Sequence, residues 1–197
     1  KMLLDYGLAP TDPPKYPNEA PNVKHAVITH SHIDHLGMAP WLCSNHRTTL
    51  HGTELTAEIS HMMWNDCYKV SRLEGYPLAW DKRDIDIATS SWKTHRFNEK
   101  WENDSWKLKL TRAGHIPGAA MLNVETETHK LLFTGDFDTR DSPLVSGAKP
   151  EKCDVLFVEG TYGGREHPSK EETIQSFIDR IVEVTDRGGT ALIPAFA

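Results

Sequence analysis

Apolar residues recur along this chain with two spacings, and the change between them divides it. From Thr53 to about Glu74, residues Leu55, Ile59, Met62, Met63 and Val70 fall three or four apart or in multiples of that step, which predicts a long helix with these side chains along one side. Gly75-Tyr76-Pro77 ends it, and a short helix is predicted around Lys82 to Thr89. From Lys93 to Phe133 the period is nearer two. Trp106, Leu108 and Leu110 alternate with polar residues and are followed by the apolar stretches at Met121 and Lys130, a pattern of antiparallel strands with a hairpin turn over Glu125 to His129. Short apolar runs at Met2 to Tyr6, Ala26 to Thr29, Asp154 to Glu159 and Thr190 to Ala197 read as further strands. Ser169-Lys-Glu-Glu172 is a capping box that opens a second long helix. Ile174, Phe177, Ile178, Ile181 and Val182 are its expected buried stripe, and Gly188-Gly189 its end. The order mixes α and β throughout, an α/β (α+β) chain with no internal repeat.

Composition narrows the classes. At 197 residues the chain has the length of one domain, and its hydrophobic (38%) and charged (25%) fractions are those of a globular protein. No apolar run approaches the roughly 18 residues needed to span a bilayer, so no membrane role is expected. The odd set Cys43, Cys67 and Cys153 lacks CxxC spacing and argues for a reducing, cytoplasmic setting over a disulfide framework. No secretory signal is visible at the start. The net charge of −6 disfavours nucleic-acid binding through a broad basic face. The 11 histidines need another explanation.

That explanation begins with His30-Ser-His32-Ile-Asp34-His35-Leu-Gly37, directly after the run Ala26 to Thr29. In extended chain, His30 and His32 point to one side and can converge on one ion, while Asp34 and His35 fall where the chain turns into a helix and can aim at a second point. Gly37 permits close backbone approach. A chance match to this pattern is expected only about 0.002 times in a chain of this composition, so metal binding is the expectation. His115, in Gly114-His-Ile-Pro-Gly118, and Asp136, in Phe133-Thr-Gly-Asp136, each follow an apolar run and complete the set. His30, His32, His115 and a carboxylate make a zinc shell; Asp34, His35 and a bridging Asp136 offer three ligands to a second metal. His25, His46, His51, His61, His95 and His129 lack partner spacing and are expected on the surface or in packing. Trp92, Trp101 and Trp106 are expected mainly in strand packing, with base stacking as the alternative.

These residues resemble the metallo-β-lactamase fold hydrolases, whose signature is H-x-H-x-D-H followed by a later histidine and a later aspartate. Leu3-Leu-Asp-Tyr-Gly7 is similar to the strand ending in an aspartate that precedes the signature, where that residue, here Asp5, orients the loop rather than binding metal. Phe157-Val-Glu-Gly-Thr-Tyr-Gly163, Arg165-Glu-His-Pro168 and Leu192-Ile-Pro-Ala-Phe-Ala197 resemble the β-CASP branch of RNA-processing nucleases, which includes RNase J and the archaeal relatives of messenger-RNA 3′-end nucleases. The resemblance implies an αββα sandwich over residues 1–197. It also implies a partial one, with the first strands, the inserted β-CASP cap domain and two later histidines, one a ligand of the second metal, outside this sequence.

The activity implied by this resemblance is hydrolysis of RNA phosphodiesters with two Zn²⁺. The first ion is expected on His30, His32 and His115, the second on Asp34 and His35, with Asp136 bridging. Asp34, His35 and Glu159 are the expected catalytic residues, Glu159 as a positioning acid, and Arg165 and His167 are candidate substrate contacts. The expected partner is RNA, single-stranded, with a homodimer or processing-complex partners also implied; endonucleolytic and 5′-to-3′ exonucleolytic modes are both open. The alternatives are a thioester or lactam hydrolase on the same metal core and a non-catalytic processing-complex subunit, since function lives in the walls around the metals.

Overall fold

The computed structural model describes residues 1–103 and 106–194, as two compact units, Lys1–Glu159 and the segment from Gly160 onward. Among the described residues, the first unit carries the nine strands and four of the five helices. Strands β1 (Leu3–Leu4), β2 (His25–Val27), β3 (Thr49–Gly52) and β4 (Trp92–Thr94) form a parallel sheet in that order. Lys93 and Thr94 therefore belong to a parallel strand, not to the antiparallel set predicted from residue 93 onward. Strands β5 (Lys100–Asn103), β6 (Trp106–Arg112), β7 (Ala120–Glu125) and β8 (Lys130–Phe133) are antiparallel neighbours, and β9 (Val155–Phe157) adds in parallel at the edge. The predicted turn lies between β7 and β8, closed by the Thr126 amide donating to the His129 carbonyl at 2.9 Å.

Alternation places two sets of side chains on opposite faces. Val27 of the first sheet meets Leu108, Leu110, Ala120, Leu122 and Val124 of the second, which makes the layer between sheets. Ala26, Ile28 and Leu50 point the other way, into a core with Leu36, Leu42, Trp64, Trp80 and Ile85 from α1 (Ile33–Leu36), α2 (Ala39–His46), α3 (Glu54–Glu74), α4 (Lys82–Ser90) and the loop before α4. The outer face of the second sheet carries a third cluster around Met121, Leu132 and Ala148. This αββ layering is that of the expected sandwich. Among the described residues, no helix is long and apolar enough to cross a membrane.

Two helices differ from expectation in which side they bury. On α3, Leu55, Met62 and Val70 are exposed, while Thr56, Ser60, Trp64 and Ser71 form the buried line. Small hydroxyl residues let the helix approach closely and Trp64 fills the gap, so the packed face is not the most apolar one. Thr53 is its N-cap, accepting from the Thr56 amide. In the second unit, α5 (Lys170–Asp186) has the predicted capping box at Ser169 and Glu172, but Ile174, Phe177, Ile178 and Val182 are each about half exposed and no residue of the helix is buried. The amphipathic pattern is real. Thr190 to Pro194 forms no strand, and Ala195 to Ala197, the end of the predicted one, lie outside the described residues.

Candidate metal centre

The parallel strands converge on one edge, and the loops that leave it carry the candidate ligands. β2 ends at Val27, and three residues later the His30 side chain is fully buried. His32 is the N-cap of α1, which holds Asp34 and His35 in a single turn. That turn is tied down by amides from Tyr6 and Leu8 donating to the His35 and Ile33 carbonyls at 2.7 and 3.2 Å. The buried indoles of Trp64 and Trp80 donate to the carbonyls of Leu36 and Gly37 at 3.0 and 2.8 Å. Any side chain at Gly7 would collide with the Asp34 carbonyl oxygen, and one at Gly37 would meet the Leu8 side chain at 2.9 Å, so both glycines serve close backbone approach.

His115 arrives from the loop after β6. The Thr53 and Thr56 hydroxyls, at the start of α3, donate to the Gly118 carbonyl at 2.7 and 3.2 Å and anchor that loop. Asp136 follows β8 across Gly135, whose φ of 54° lies in the left-handed region and whose missing side chain leaves room for Thr29.

Four of the candidate donors come together in one cluster. His30, His32, His115 and Asp136 each offer a ligand atom, and all lie within 4.8 Å of one another. His30 Nε2 is 3.0 Å and His115 Nε2 3.2 Å from His32 Nδ1. Four ligands at about 2.0–2.1 Å around a tetrahedral zinc stand about 3.3 Å apart, so this donor set fits such an ion. The Asp136 carboxylate faces both ways. Its Oδ2 lies 3.9 Å from His30 Nε2 and 3.7 Å from His115 Nε2, and its Oδ1 lies 3.3 Å from His35 Nε2. Asp34 Oδ2 is 3.7 Å from the same His35 nitrogen.

Asp5 sets the proton positions behind this shell. Its Oδ2 accepts from the Thr29 hydroxyl at 2.8 Å and lies 2.8 Å from His35 Nδ1; its Oδ1 accepts from the Thr29 amide at 2.7 Å. His35 therefore carries its proton on Nδ1, leaving the Nε2 lone pair toward Asp136. The Thr29 hydroxyl, having donated to Asp5, accepts from His30 Nδ1 at 3.0 Å, which turns the His30 Nε2 lone pair inward as well. Asp5 holds this position with φ at 54°, a conformation that aspartate tolerates better than most residues.

Electrostatics separate the three rings of the signature. Burial, with the neighbouring imidazoles of His35, His32 and His115, pushes the His30 pKa down to about 2, so it is a neutral ligand. Burial and His115 lower that of His32 against the opposing pull of Asp34 and Asp136. At His35 burial acts downward, but the Asp5 hydrogen bond and charge, with Asp136 and Asp34, outweigh it and the pKa is raised.

The other sequence candidates fall elsewhere. Glu159 ends the first unit, partly buried, with its amide donating to the hydroxyl of Thr134, two residues before Asp136, at 3.4 Å. Arg165 and His167 belong to the second unit and are exposed, with the His167 ring 4.7 Å from that of Tyr162. Trp92 packs against the helical core, and Trp101 and Trp106 against the layer between sheets. Two supporting residues, Trp64 and Trp80, escape sequence reasoning, because a lone indole in a helix or loop gives no signal of its hydrogen-bond partner. The surface or packing roles expected for His25, His51 and His95 are also incomplete: the three form one hydrogen-bonded chain, with His51 and His95 buried.

Comparison with known proteins places these observations. Residues 2–182 match the model of the metallo-beta-lactamase superfamily. Over its whole length the chain is 33% identical to RNase aCSPSF2 of Saccharolobus solfataricus, covering 41% of that protein. It is likewise 33% identical to the probable RNase MJ4 of Methanocaldococcus jannaschii, covering 48% of it. The identity to cleavage and polyadenylation specificity factor 73 of Drosophila melanogaster is 31%, over 30% of that protein. The chain thus spans less than half the length of these relatives.

Proposed function

Since the chain belongs to the metallo-β-lactamase superfamily, we propose that it is the metal-binding part of a zinc-dependent hydrolase of the β-CASP branch, cleaving phosphodiester bonds of single-stranded RNA. The observation that carries this reading is the Asp136 carboxylate, with one oxygen toward His30 and His115 and the other toward His35. In it His30, His32 and His115 would hold one zinc and Asp34 and His35 a second, with Asp136 placed to serve either. Imidazole and carboxylate donors in this ratio suit zinc better than magnesium or calcium. Bound there, the ions would lower the pKa of water and offset charge on phosphate oxygens.

The chain's own residues do the rest. Asp5 and Thr29 keep His35 and His30 in the tautomers that present Nε2. Asp34, half exposed at its side chain, stands at the open side of the cluster and is placed to orient a water for in-line attack on phosphorus. The ribonuclease names of relatives matched over the whole chain favour RNA over a thioester or lactam.

In the full-length protein, Asp34→Ala with His35→Ala is expected to abolish cleavage of labelled single-stranded RNA while leaving the far-ultraviolet circular dichroism unchanged. Cleavage undiminished by the double substitution would remove the assignment. End-labelled and circular RNA, tested side by side, separate the two modes: a circle is cut only by an endonuclease.

A further inference from the structure

We propose that His25 and His51 form a second, separate transition-metal site, with His95 as its outer partner, on a diagonal across the parallel sheet and apart from the cluster of His30, His32 and His115. His25 is the first residue of β2, whereas His30 lies beyond its end, roughly 16 Å away at strand rise. In register, His25 of β2 pairs with Thr49 and Val27 with His51 of β3, which pairs with Lys93 of β4, so His25, His51 and His95 step two residues at a time along a diagonal of one face.

The separations resemble those of the main cluster. His25 Nδ1 lies 3.0 Å from His51 Nε2, the same as His30 Nε2 from His32 Nδ1. His51 Nδ1 lies 2.9 Å from His95 Nε2. With its Nδ1 proton donated to His95, His51 presents the Nε2 lone pair to His25, the arrangement that an outer partner imposes on a metal-bound histidine. The His95 ring is itself held, stacked on Trp101 at 3.7 Å between centroids and 12° between planes. A proton shared by His25 and His51 gives the same short separation; a divalent ion takes its place when His25 carries its proton on Nε2 instead, so binding releases none.

The His51 ring is neutral at physiological pH, as a ligand must be. Burial, with His95, His25 and Lys93, pushes His51 down to about 4, and burial lowers His95, aided by Lys93 and opposed by Glu99. His25 is only half buried, which admits the ion and the waters that complete its coordination. Two imidazoles without a carboxylate select Cu²⁺, Ni²⁺ or Zn²⁺ and discriminate against Mg²⁺ and Ca²⁺.

The test adds Cu²⁺ to the zinc-loaded chain and reads electron paramagnetic resonance, with total metal counted after equilibrium dialysis. Wild type is expected to take up one ion per chain more than His25→Ala, and to show hyperfine splitting from two imidazole nitrogens that His25→Ala and His51→Gln lose. His25→Ala removes a half-exposed ring and should keep the native circular dichroism. Equal uptake by wild type and His25→Ala would overturn the proposal and leave a shared proton as the whole explanation of the short contact. Two-nitrogen splitting that persists in His25→Ala would overturn it as well, by placing the copper elsewhere.

Discussion

Asp5 governs two imidazoles with one carboxylate, directly at His35 and through Thr29 at His30. Asp5→Asn keeps the volume and removes the charge. It is expected to weaken zinc binding about 10- to 100-fold, the usual cost of losing an outer partner, as measured by competition with a chromophoric chelator. Unchanged affinity would mean that the two rings are oriented by packing alone. A second residue, His51, gives a pH signature. Its pKa is held down at about 4 against an ordinary 6.5, so on acidification the unfolded chain binds the proton first. Its contribution to stability is whole above pH 6.5, is lost as pH falls toward 4, and levels off below; the shift amounts to up to roughly 3 kcal/mol. His51→Gln should flatten that part of the curve, read from urea midpoints at about pH 7 and about pH 5; an unaltered slope would assign the acid sensitivity to other groups. The two clusters also show what a sequence conveys at this scale. His30, His32, Asp34 and His35 are legible because they are close in the chain and their spacing is chemically constrained. His25, His51 and His95 are far apart, and only strand register brings them together.

At the scale of elements, the start of α3 is what couples the helical layer to the metal loop. Thr53 caps the helix and also donates to the Gly118 carbonyl, three residues from His115. Thr53→Val removes both roles at nearly constant volume and is expected to cost about 1–2 kcal/mol, seen as a lower denaturant midpoint at unchanged m value. A neutral result would show that Thr56 alone holds the loop. α3 also shows where periodicity misleads. Its length and cap are readable from Thr53 to Glu74, yet the side that packs runs through Thr56, Ser60, Trp64 and Ser71, because close approach of backbones outweighs hydrophobicity there. Helix α2 and strand β3 leave little trace in the sequence: α2 carries no strong amphipathic stripe, and a four-residue strand is too short to show a period. On α5 the reverse holds, since Ile174, Phe177, Ile178 and Val182 follow a helical stripe that stays about half exposed.

For the molecule as a whole, layering and charge act together. The helical core, the parallel sheet and the second sheet stack so that His30, His115 and Asp136, from three different connections, reach one point. The chain is acidic, with a net charge of −6, which by itself opposes a phosphate ligand. Two divalent ions would place four positive charges at that point, and local sign then outweighs net charge. Everything proposed about RNA cleavage therefore rests on whether the six donors hold two ions. Anomalous diffraction at the zinc absorption edge, from crystals grown with zinc, locates the ions without reference to activity. Two peaks are predicted on either side of the Asp136 carboxylate, one among His30, His32 and His115 and the other beside Asp34 and His35. An absence of zinc density between these side chains, or a single ion that leaves His35 uncoordinated, would contradict the two-metal centre.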